Sequence, residues 1–352
     1  MITPLFFHPI YKERVWGGRK LADKYHRKLP GDRVGESWEI ACHKNGMSIV
    51  KEGSFKGKKL QELINEYGQD ILGKAVVLEY DKFPLLVKLL DAEDTLSVQV
   101  HPDDVYASLN EYGELGKTEM WYIIDAKPGA KLIYGVREGV HREDFRNGIY
   151  EGSLEKYLRE LEVQKGDVLY IPSGLVHAVG SGILLYEIQQ NSDATYRVYD
   201  WNRKDSDGKK RELHIDKAID VIDFDNKNAG YSKMSGLVLQ DQGGIRTLYA
   251  AGKYFAMEKL SVYSSMNLSM KSRRFQILTC IEGQGNMQYP GGRKKLKAGM
   301  SALIPASLSN LIVNGRCTIM RSWVPDRENM ISCLLSKGFT KEELSKVAGL
   351  IE

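Results

Sequence analysis

Gly166-Asp167-Val168-Leu169-Tyr170-Ile171-Pro172-Ser173-Gly174-Leu175-Val176-His177 follows the pattern G-x5-P-x-G-x-x-H. Physically this is a turn, a short apolar strand, and a proline-containing turn that launches a second strand carrying a histidine. The frame recurs at Gly299-Met300-Ser301-Ala302-Leu303-Ile304-Pro305-Ala306-Ser307-Leu308-Ser309-Asn310, with Ser307 at the second glycine and Asn310 at the histidine. Two such units predict two related β domains, one of which has lost its histidine. The rest of the chain agrees: the last histidine is His214, so the second domain has none.

Outward from these frames the chain reads as short strands punctuated by Gly, Pro and Asp. Phe83 to Leu90, Leu96 to Val100, Met120 to Ile124, Asp167 to Ile171 and Ile183 to Ile188 are rich in β-branched, aromatic and Leu residues. Several alternate in polarity, as half-buried strands do. Helices are fewer. Leu60, Leu63, Ile64 and Tyr67 recur at i, i+3, i+4, i+7 and predict a helix over Lys59 to Tyr67. Pro102-Asp103-Asp104 reads as the first turn of another, and Ser153 to Leu161 as a third. A charged loop is expected from Asn202 to Arg211, and the composition shifts again around Asp223 to Lys233. A second strand-rich block then runs from Met234 to about Val324. Asp326 can cap a helix ending near Gly338, and Thr340 with Glu343 forms a capping box for a last one. The expected class is therefore mainly β: two β-barrel domains, a few short helices and a helical C-terminal tail. The expected divisions are 1–225, carrying the chemistry, 234–325, degenerate and without metal, and 326–352, the tail.

A length of 352 residues easily supports more than one core. A net charge of +4 is small for that length and argues against nucleic acid as a partner. The one dense basic cluster, Arg293-Lys294-Lys295 with Lys297, sits beside Pro290-Gly291-Gly292 and reads as a solvated hairpin tip. No apolar run approaches the ~20 residues that cross a bilayer, and Met1 to Trp16 lacks the pattern of a signal peptide. Cys42, Cys280, Cys317 and Cys333 form no CxxC pair. Reduced thiols in a cytoplasmic protein are the expectation.

Gln99-Val100-His101 ends an apolar strand. Residues two apart on a strand share a face, so Gln99 and His101 can share one target. Glu119 opens the next strand and His177 follows the proline turn. Together they offer one amide oxygen, two imidazoles and one carboxylate. That set suits a four-coordinate borderline cation, with one zinc ion per chain the leading candidate. One carboxylate against a dication leaves net positive charge, able to polarise a carbonyl or enediolate oxygen. His8, His26, His43, His141 and His214 have no ligand partner at useful spacing and are assigned no chemistry.

The frame around His177, with Gln99-x-His101 and Glu119, resembles the cupin superfamily, whose first motif commonly has His-x-His. Phe83-Pro84-Leu85-Leu86-Val87-Lys88-Leu89-Leu90-Asp91-Ala92, Leu96-Ser97-Val98-Gln99-Val100-His101-Pro102 and Gly116-Lys117-Thr118-Glu119-Met120-Trp121 resemble type I mannose-6-phosphate isomerases. So do Trp16-Gly17-Gly18, Glu36-Ser37-Trp38-Glu39 and Ser192-Asp193-Ala194-Thr195-Tyr196-Arg197. The short connection from Glu119 to His177 is similar to the compact bacterial form. The resemblance implies cupin-type jelly-roll domains and Gln99, His101, Glu119 and His177 as the metal ligands. It implies a role in activity for Arg197. Ser97 and Lys117 would meet the substrate phosphate or the reacting end of the sugar, and Lys88, Glu187 and Asp193 would line the pocket. Trp16 borders that pocket as a packing residue. Where some relatives have a tyrosine after the last ligand, this chain has Val179.

The implied reaction interconverts mannose 6-phosphate and fructose 6-phosphate through a cis-enediol. It needs a base near the carbon acid and positive charge where the enediolate develops. Arg197 suits the second demand. The base is Asp193, Glu187 or a metal-bound hydroxide, and a hydride shift held by the metal is a further route. Rival readings are an Fe(II) cupin oxygenase, a non-catalytic sugar-phosphate-binding cupin, and an isomerase of another sugar phosphate. A monomer or homodimer is expected.

Overall fold

The computed structural model describes residues 2–204, 208–225, 233–268, 270 and 273–351. Residues 205–207 of the loop expected after Asn202, and residues 226–232 of the boundary expected after Asp223, lie outside the described residues. The chain folds as two compact units, each discontinuous in sequence. One comprises Met1–Ile10, Trp38–Val87 and Met234–Glu352; the other comprises Tyr11–Ser37 and Lys88–Lys233.

The second of these units carries the site. Its five-stranded antiparallel sheet runs in the order Leu158–Glu162, Lys131–Val136, His177–Val179, Val98–Val100, Tyr196–Tyr199. A six-stranded sheet runs Val168–Ile171, Glu119–Ala126, Ile183–Gln190, Leu85–Ala92, Ile10–Gly18, Val34–Ile40. Alternation decides which side of each strand does what. Val98 and Val100 turn to one face of the five-stranded sheet. There they pack with Phe145, Ala218 and Ile219 of the helices Arg142–Tyr150 and Ile215–Val221. The other face meets the six-stranded sheet in an apolar core containing Trp16, Leu90, Trp121, Leu132, Tyr134, Leu169 and Leu185. Gln99 lies between the two valines in sequence, so it faces that interior. This is the two-sheet arrangement of a jelly roll.

In the other unit a nine-stranded sheet follows the path Leu5–Phe6, Met300–Ile304, Gln276–Tyr289, Leu311–Trp323, Ala256–Val262, Gly244–Ala251, Leu237–Asp241, with two further strands attached. Its core packs Leu260, Leu278, Met287, Leu296, Val313 and Ile319. The repeated frame takes the same form in both units. Val168–Ile171 and Met300–Ile304 are each followed by a proline turn and then a strand, at His177 and Leu311. The sequence divides at contiguous boundaries, whereas the compact units do not. The reason is long-range pairing: Leu5 and Phe6 pair with Leu303 and Ala302, and the Ala306 amide donates to the Ile71 carbonyl.

Most local expectations hold. The helix Asp104–Asn110 is capped by Asp103, whose carboxylate accepts from the Tyr106 amide at 2.8 Å. Arg327–Ser336 is capped by Asp326, and the Thr340–Glu343 capping box is present. The first predicted helix extends to Leu72, with a kink at Tyr67 (φ −130°, ψ 30°) just before Gly68. That kink is where the sequence periodicity stops. The helix expected over Ser153 to Leu161 is corrected: only Leu154–Tyr157 turns, as a 3-10 helix, and Leu158–Glu162 is a strand. Leu158 and Leu161 mimic helical spacing, but pairing with Lys131–Val136 takes the segment into the sheet. The basic cluster is also displaced from the hairpin tip, onto the strand Gly292–Lys297 itself. Cys42, Cys280 and Cys317 are buried and Cys333 is exposed, all as free thiols.

Candidate metal centre

Cross-strand register assembles the site. Gln99 stands opposite His177 on one neighbouring strand and opposite Arg197 on the other, so all three share one row on the interior face. On the facing sheet, Glu119 pairs with Gln189, and Trp121 pairs with Glu187. The interior is thus graded along its length. The apolar residues fill one end, and the same inward rows continue into charged ones at the other: Glu119 precedes Trp121, Glu187 follows Leu185, and Lys88 precedes Leu90.

At the polar end, His101, Glu119 and His177 are each almost wholly buried, and their ligating atoms lie within 4.8 Å of one another. His101 Nε2 is 3.3 Å from Glu119 Oε1, and His177 Nε2 is 3.8 Å from Glu119 Oε2. Each imidazole is oriented from behind. His101 Nδ1 lies 2.9 Å from the Ala194 carbonyl oxygen, and His177 Nδ1 lies 2.9 Å from that of Leu175. A carbonyl oxygen only accepts, so both Nδ1 atoms carry the proton and both Nε2 lone pairs point at the centre. The Gln99 amide lies 3.3 Å from His177 Nε2, and a half-turn of that amide presents its oxygen to the same point. Both Glu119 oxygens are buried; beside the imidazoles, the Lys117 ammonium faces Oε1 as an ion pair. With the two imidazole lone pairs aimed toward it, this carboxylate completes a candidate metal-binding triad.

The electrostatics fit the same conclusion. Burial, assisted by the Lys117 charge, pulls His101 down to about 3, and burial likewise lowers His177. Both rings are therefore neutral and free to ligate near neutral pH. Burial pushes Glu119 up, but the adjacent Lys117 charge leads the opposing influences, and the carboxyl is held well below its usual range. Lys117 Nζ stands 2.9 Å from Glu119 Oε1 and 3.2 Å from His101 Nε2. Beyond the ligands, Lys88 Nζ is 3.1 Å from Glu187 Oε1, and Trp121 Nε1 donates to Glu187 Oε2 at 2.8 Å. Burial and the Glu119 charge raise Glu187. Burial opposes the charge on Lys88, but the surrounding carboxylates raise it.

A cavity of about 490 Å³ opens onto this centre. Ser97, Gln99, Glu119, His177, Lys88 and Lys117 line it, as do Glu187, Asp193, Arg197 and Trp16. His101 is the one sequence-selected site residue outside that wall; it sits behind, against Glu119 and Lys117. Trp16 fits because Gly35 faces its ring: a Cβ on Gly35 would stand 2.5 Å from Trp16 Cζ3. Arg197 donates from Nε to Ser97 Oγ (3.1 Å) and from Nη1 to the Glu212 carbonyl (3.0 Å). The charge of Asp193 acts on Lys88.

Four charged lining residues were not singled out from sequence: Glu13, Arg14, Glu36 and Arg211. Arg14 Nε donates to Glu36 Oε1 at 2.7 Å, and Arg211 pairs with Asp200 through Nε at 2.7 Å. Arg14 lies two residues before Trp16 on one strand, and that spacing was a usable signal. Arg211 follows residues outside the described set, in a stretch with no periodicity. The wall as a whole balances. Five carboxylates, Glu13, Glu36, Glu119, Glu187 and Asp193, face five cations, Arg14, Lys88, Lys117, Arg197 and Arg211. A bound dication would leave the cavity at about +2, matched to a dianionic ligand.

Residues 5–124 match the family model for the phosphomannose isomerase type I catalytic domain, and residues 245–324 match that for the mannose-6-phosphate isomerase cupin domain. Mannose-6-phosphate isomerase ManA of Bacillus subtilis is 42% identical over 316 residues, covering 89% of this chain and 96% of that protein. The mannose-6-phosphate isomerase of Streptococcus mutans is 37% identical over 322 residues, covering 92% of this chain and 98% of its own. The crystal structure of the Bacillus subtilis mannose 6-phosphate isomerase aligns with a TM-score of 0.85 and 38% identity, over 91% of this chain and 99% of that one. The chain belongs to the type I mannose-6-phosphate isomerase family.

Proposed function

We propose that this protein interconverts D-mannose 6-phosphate and D-fructose 6-phosphate, with one Zn²⁺ held by Gln99, His101, Glu119 and His177. The observation that carries the reading is the charge-balanced cavity ending on two inward-facing imidazoles and the buried Glu119 carboxylate between them. When bound, the cation supplies Lewis acidity toward the C1 and C2 oxygens of the opened sugar. Nitrogen, amide and carboxylate donors favour zinc over the harder dications.

The remaining work falls to side chains. Arg197, braced by Ser97 and the Glu212 carbonyl, offers fixed positive charge to the enediolate oxygens. Asp193 takes the proton from C2 of the aldose. The C1–C2 bond becomes double as the C1 carbonyl bond becomes single. Asp193, its proton open to exchange with solvent, then delivers a proton to C1, while the O2 hydroxyl proton passes to O1. Lys117, beside Glu119, holds the reacting end, and Ser97 and Lys88 hold the substrate with Glu187. The phosphate lies remote from the reacting carbons and fixes orientation. Among the described residues no helix is long and apolar enough to cross a membrane, and a cytoplasmic monomer or homodimer is the proposed working form.

A coupled assay before and after chelation and zinc return tests reaction and metal together. Activity lost with chelation and restored by zinc supports the reading; inactivity of zinc-loaded protein on mannose 6-phosphate refutes it. Turnover in D₂O separates the routes, since an enediol incorporates solvent deuterium and a hydride shift does not. Arg197→Ala is expected to lower kcat by about 100-fold or more. A raised KM at normal kcat would place Arg197 in ground-state binding instead.

A further inference from the structure

The unit built from Met234–Glu352 and its N-terminal segments contains its own cavity, of about 350 Å³. Its wall is one face of the nine-stranded sheet. Register places Leu237, Leu248, Glu258, Arg321 and Leu278 in one cross-strand row. Arg246 and Trp323 lie two residues along from Leu248 and Arg321, on the same face. The helix Arg327–Ser336 covers the opening with Met330, Cys333 and Leu334.

Most of this wall is apolar, yet it contains a charge cluster with an excess of cations. Glu258 is fully buried. Arg246 donates to its Oε2 from Nε (3.2 Å) and Nη2 (2.8 Å), and Arg321 Nη2 pairs with its Oε1. The Arg321 guanidinium lies over Trp323, 4.8 Å from the ring centroid. Arg321 is 95% buried by its 5% relative exposure, and its Nε–H has no hydrogen-bond partner. Asp326 and Lys337 add one charge of each sign at the rim, and Asp241 acts on both arginines from outside the wall. The interior pair of guanidiniums is thus served by a single buried carboxylate. Burial pulls Arg321 down to about 10, as expected of a cation short of counter-charge.

We propose that this cavity is a second ligand site, which takes a small organic monoanion: a carboxylate carried on an apolar body. The carboxylate meets the unpartnered Nε–H of Arg321 and the guanidinium of Arg246. The body packs on Leu239, Leu248, Trp323 and Met330. One surplus charge matches one carboxylate, and a strongly hydrated phosphate dianion would gain nothing from the apolar walls. The site lies outside the catalytic cavity and uses none of its residues.

The test is titration of the whole protein with benzoate by calorimetry, beside benzamide, its neutral isostere. Saturable one-to-one binding of benzoate is expected, with benzamide at least about tenfold weaker. Cys333 is the exposed cysteine and lines this cavity, so bound benzoate should slow its alkylation by iodoacetamide. Arg321→Met is expected to weaken benzoate at least about tenfold. Arg246→Met, at a half-buried position, does the same and keeps the test decisive if Arg321→Met does not fold. The proposal is overturned by absence of saturable heat, by equal binding of benzamide, or by benzoate affinity and Cys333 protection unchanged in Arg246→Met.

Discussion

Removing the buried Lys88–Glu187 pair one partner at a time tests whether the charged end of the interior is a coupled unit. The side chains are 5% and 3% exposed and 3.1 Å apart. At that separation the attraction is about 5 kcal/mol for an effective dielectric of about 20. Losing one partner also strands the other in a buried setting, which costs about 3–5 kcal/mol. The two singles should not be equal. Lys88→Met leaves Glu187 facing Glu119 with less counter-charge, whereas Glu187→Gln leaves Lys88 with Glu36, Glu119 and Asp193 around it. Lys88→Met is therefore the costlier change, near the upper figure. The double variant Lys88→Met/Glu187→Gln removes both charges and should be less destabilised than the sum of the singles by about 2–4 kcal/mol. The assay is urea unfolding of chelated protein followed by tryptophan fluorescence, for which Trp121, bonded to Glu187, is a local reporter. Additive single and double effects would refute the coupling, and a costlier Glu187→Gln would refute the charge balance.

Two further outcomes follow from the same arrangement. Glu119→Gln should weaken zinc binding by more than about 100-fold, read by metal content after dialysis, because it removes the only anionic ligand and leaves Lys117 beside two imidazoles. Asp91 is a separate pH-dependent point: burial raises its carboxyl to about 6, against the Lys20 amide that donates to it at 2.6 Å. A raised carboxyl binds its proton more tightly in the folded state, so its stabilisation is complete below the unfolded value near 4 and is lost as pH rises through about 6. Asp91→Asn keeps an acceptor for Lys20 without the charge. It should exceed the parent in stability above pH 6 by up to roughly 3 kcal/mol, read as melting temperature from pH 5 to 8, and no gain there would contradict the raised value.

Legibility in the sequence followed the range of the physics involved. Gln99, His101 and the frame around His177 were visible because strand alternation and a proline turn are local, and the structure brings them to one point with Glu119. Caps were visible for the same reason: Asp103, Asp326 and Thr340 each bond an amide three residues on. The Lys20–Tyr25, Lys74–Glu79, Arg142–Tyr150 and Ile215–Val221 helices were not singled out. They are short, and two lack a hydrophobic repeat long enough to register. Tertiary packing holds them, as with Phe145 and Ile219 against the five-stranded sheet. The pairing of Leu5–Phe6 with Met300–Ile304 spans almost the whole chain, and nothing in either segment announces the other. Arg211 reaches the cavity only through the path of its loop, so charge alone did not distinguish it from its neighbours.

One short segment ties the parts of the site together. Ala194 supplies the carbonyl that orients His101, and the same run carries Asp193 before it and Arg197 after it. What fixes that run is Ser192, which is fully buried. Its hydroxyl donates to the Leu115 carbonyl (2.7 Å), two residues before Lys117, and accepts from the Ala194 amide (3.2 Å). Its own carbonyl accepts from Gln189 Nε2 at 2.6 Å. Ser192 therefore links the segment that delivers Lys117 and Glu119 to the one that delivers Asp193 and Arg197, and its hydrogen bonds go to Leu115, Ala194 and Gln189 rather than to any of the four proposed metal ligands. Ser192→Ala leaves the Leu115 carbonyl and the Ala194 amide short of partners, at a cost of about 1–3 kcal/mol for each that stays buried. Because the Ala194 carbonyl moves with its amide, the same change loosens the Nδ1 anchor of His101. Zinc affinity should then fall about 10–100-fold, and kcat should fall in protein re-saturated with zinc. Ser192→Thr keeps the hydroxyl and should retain most of both. A Ser192→Ala protein that loses stability but keeps zinc affinity and kcat would show that the segment is held elsewhere, and that His101 does not depend on it for its orientation.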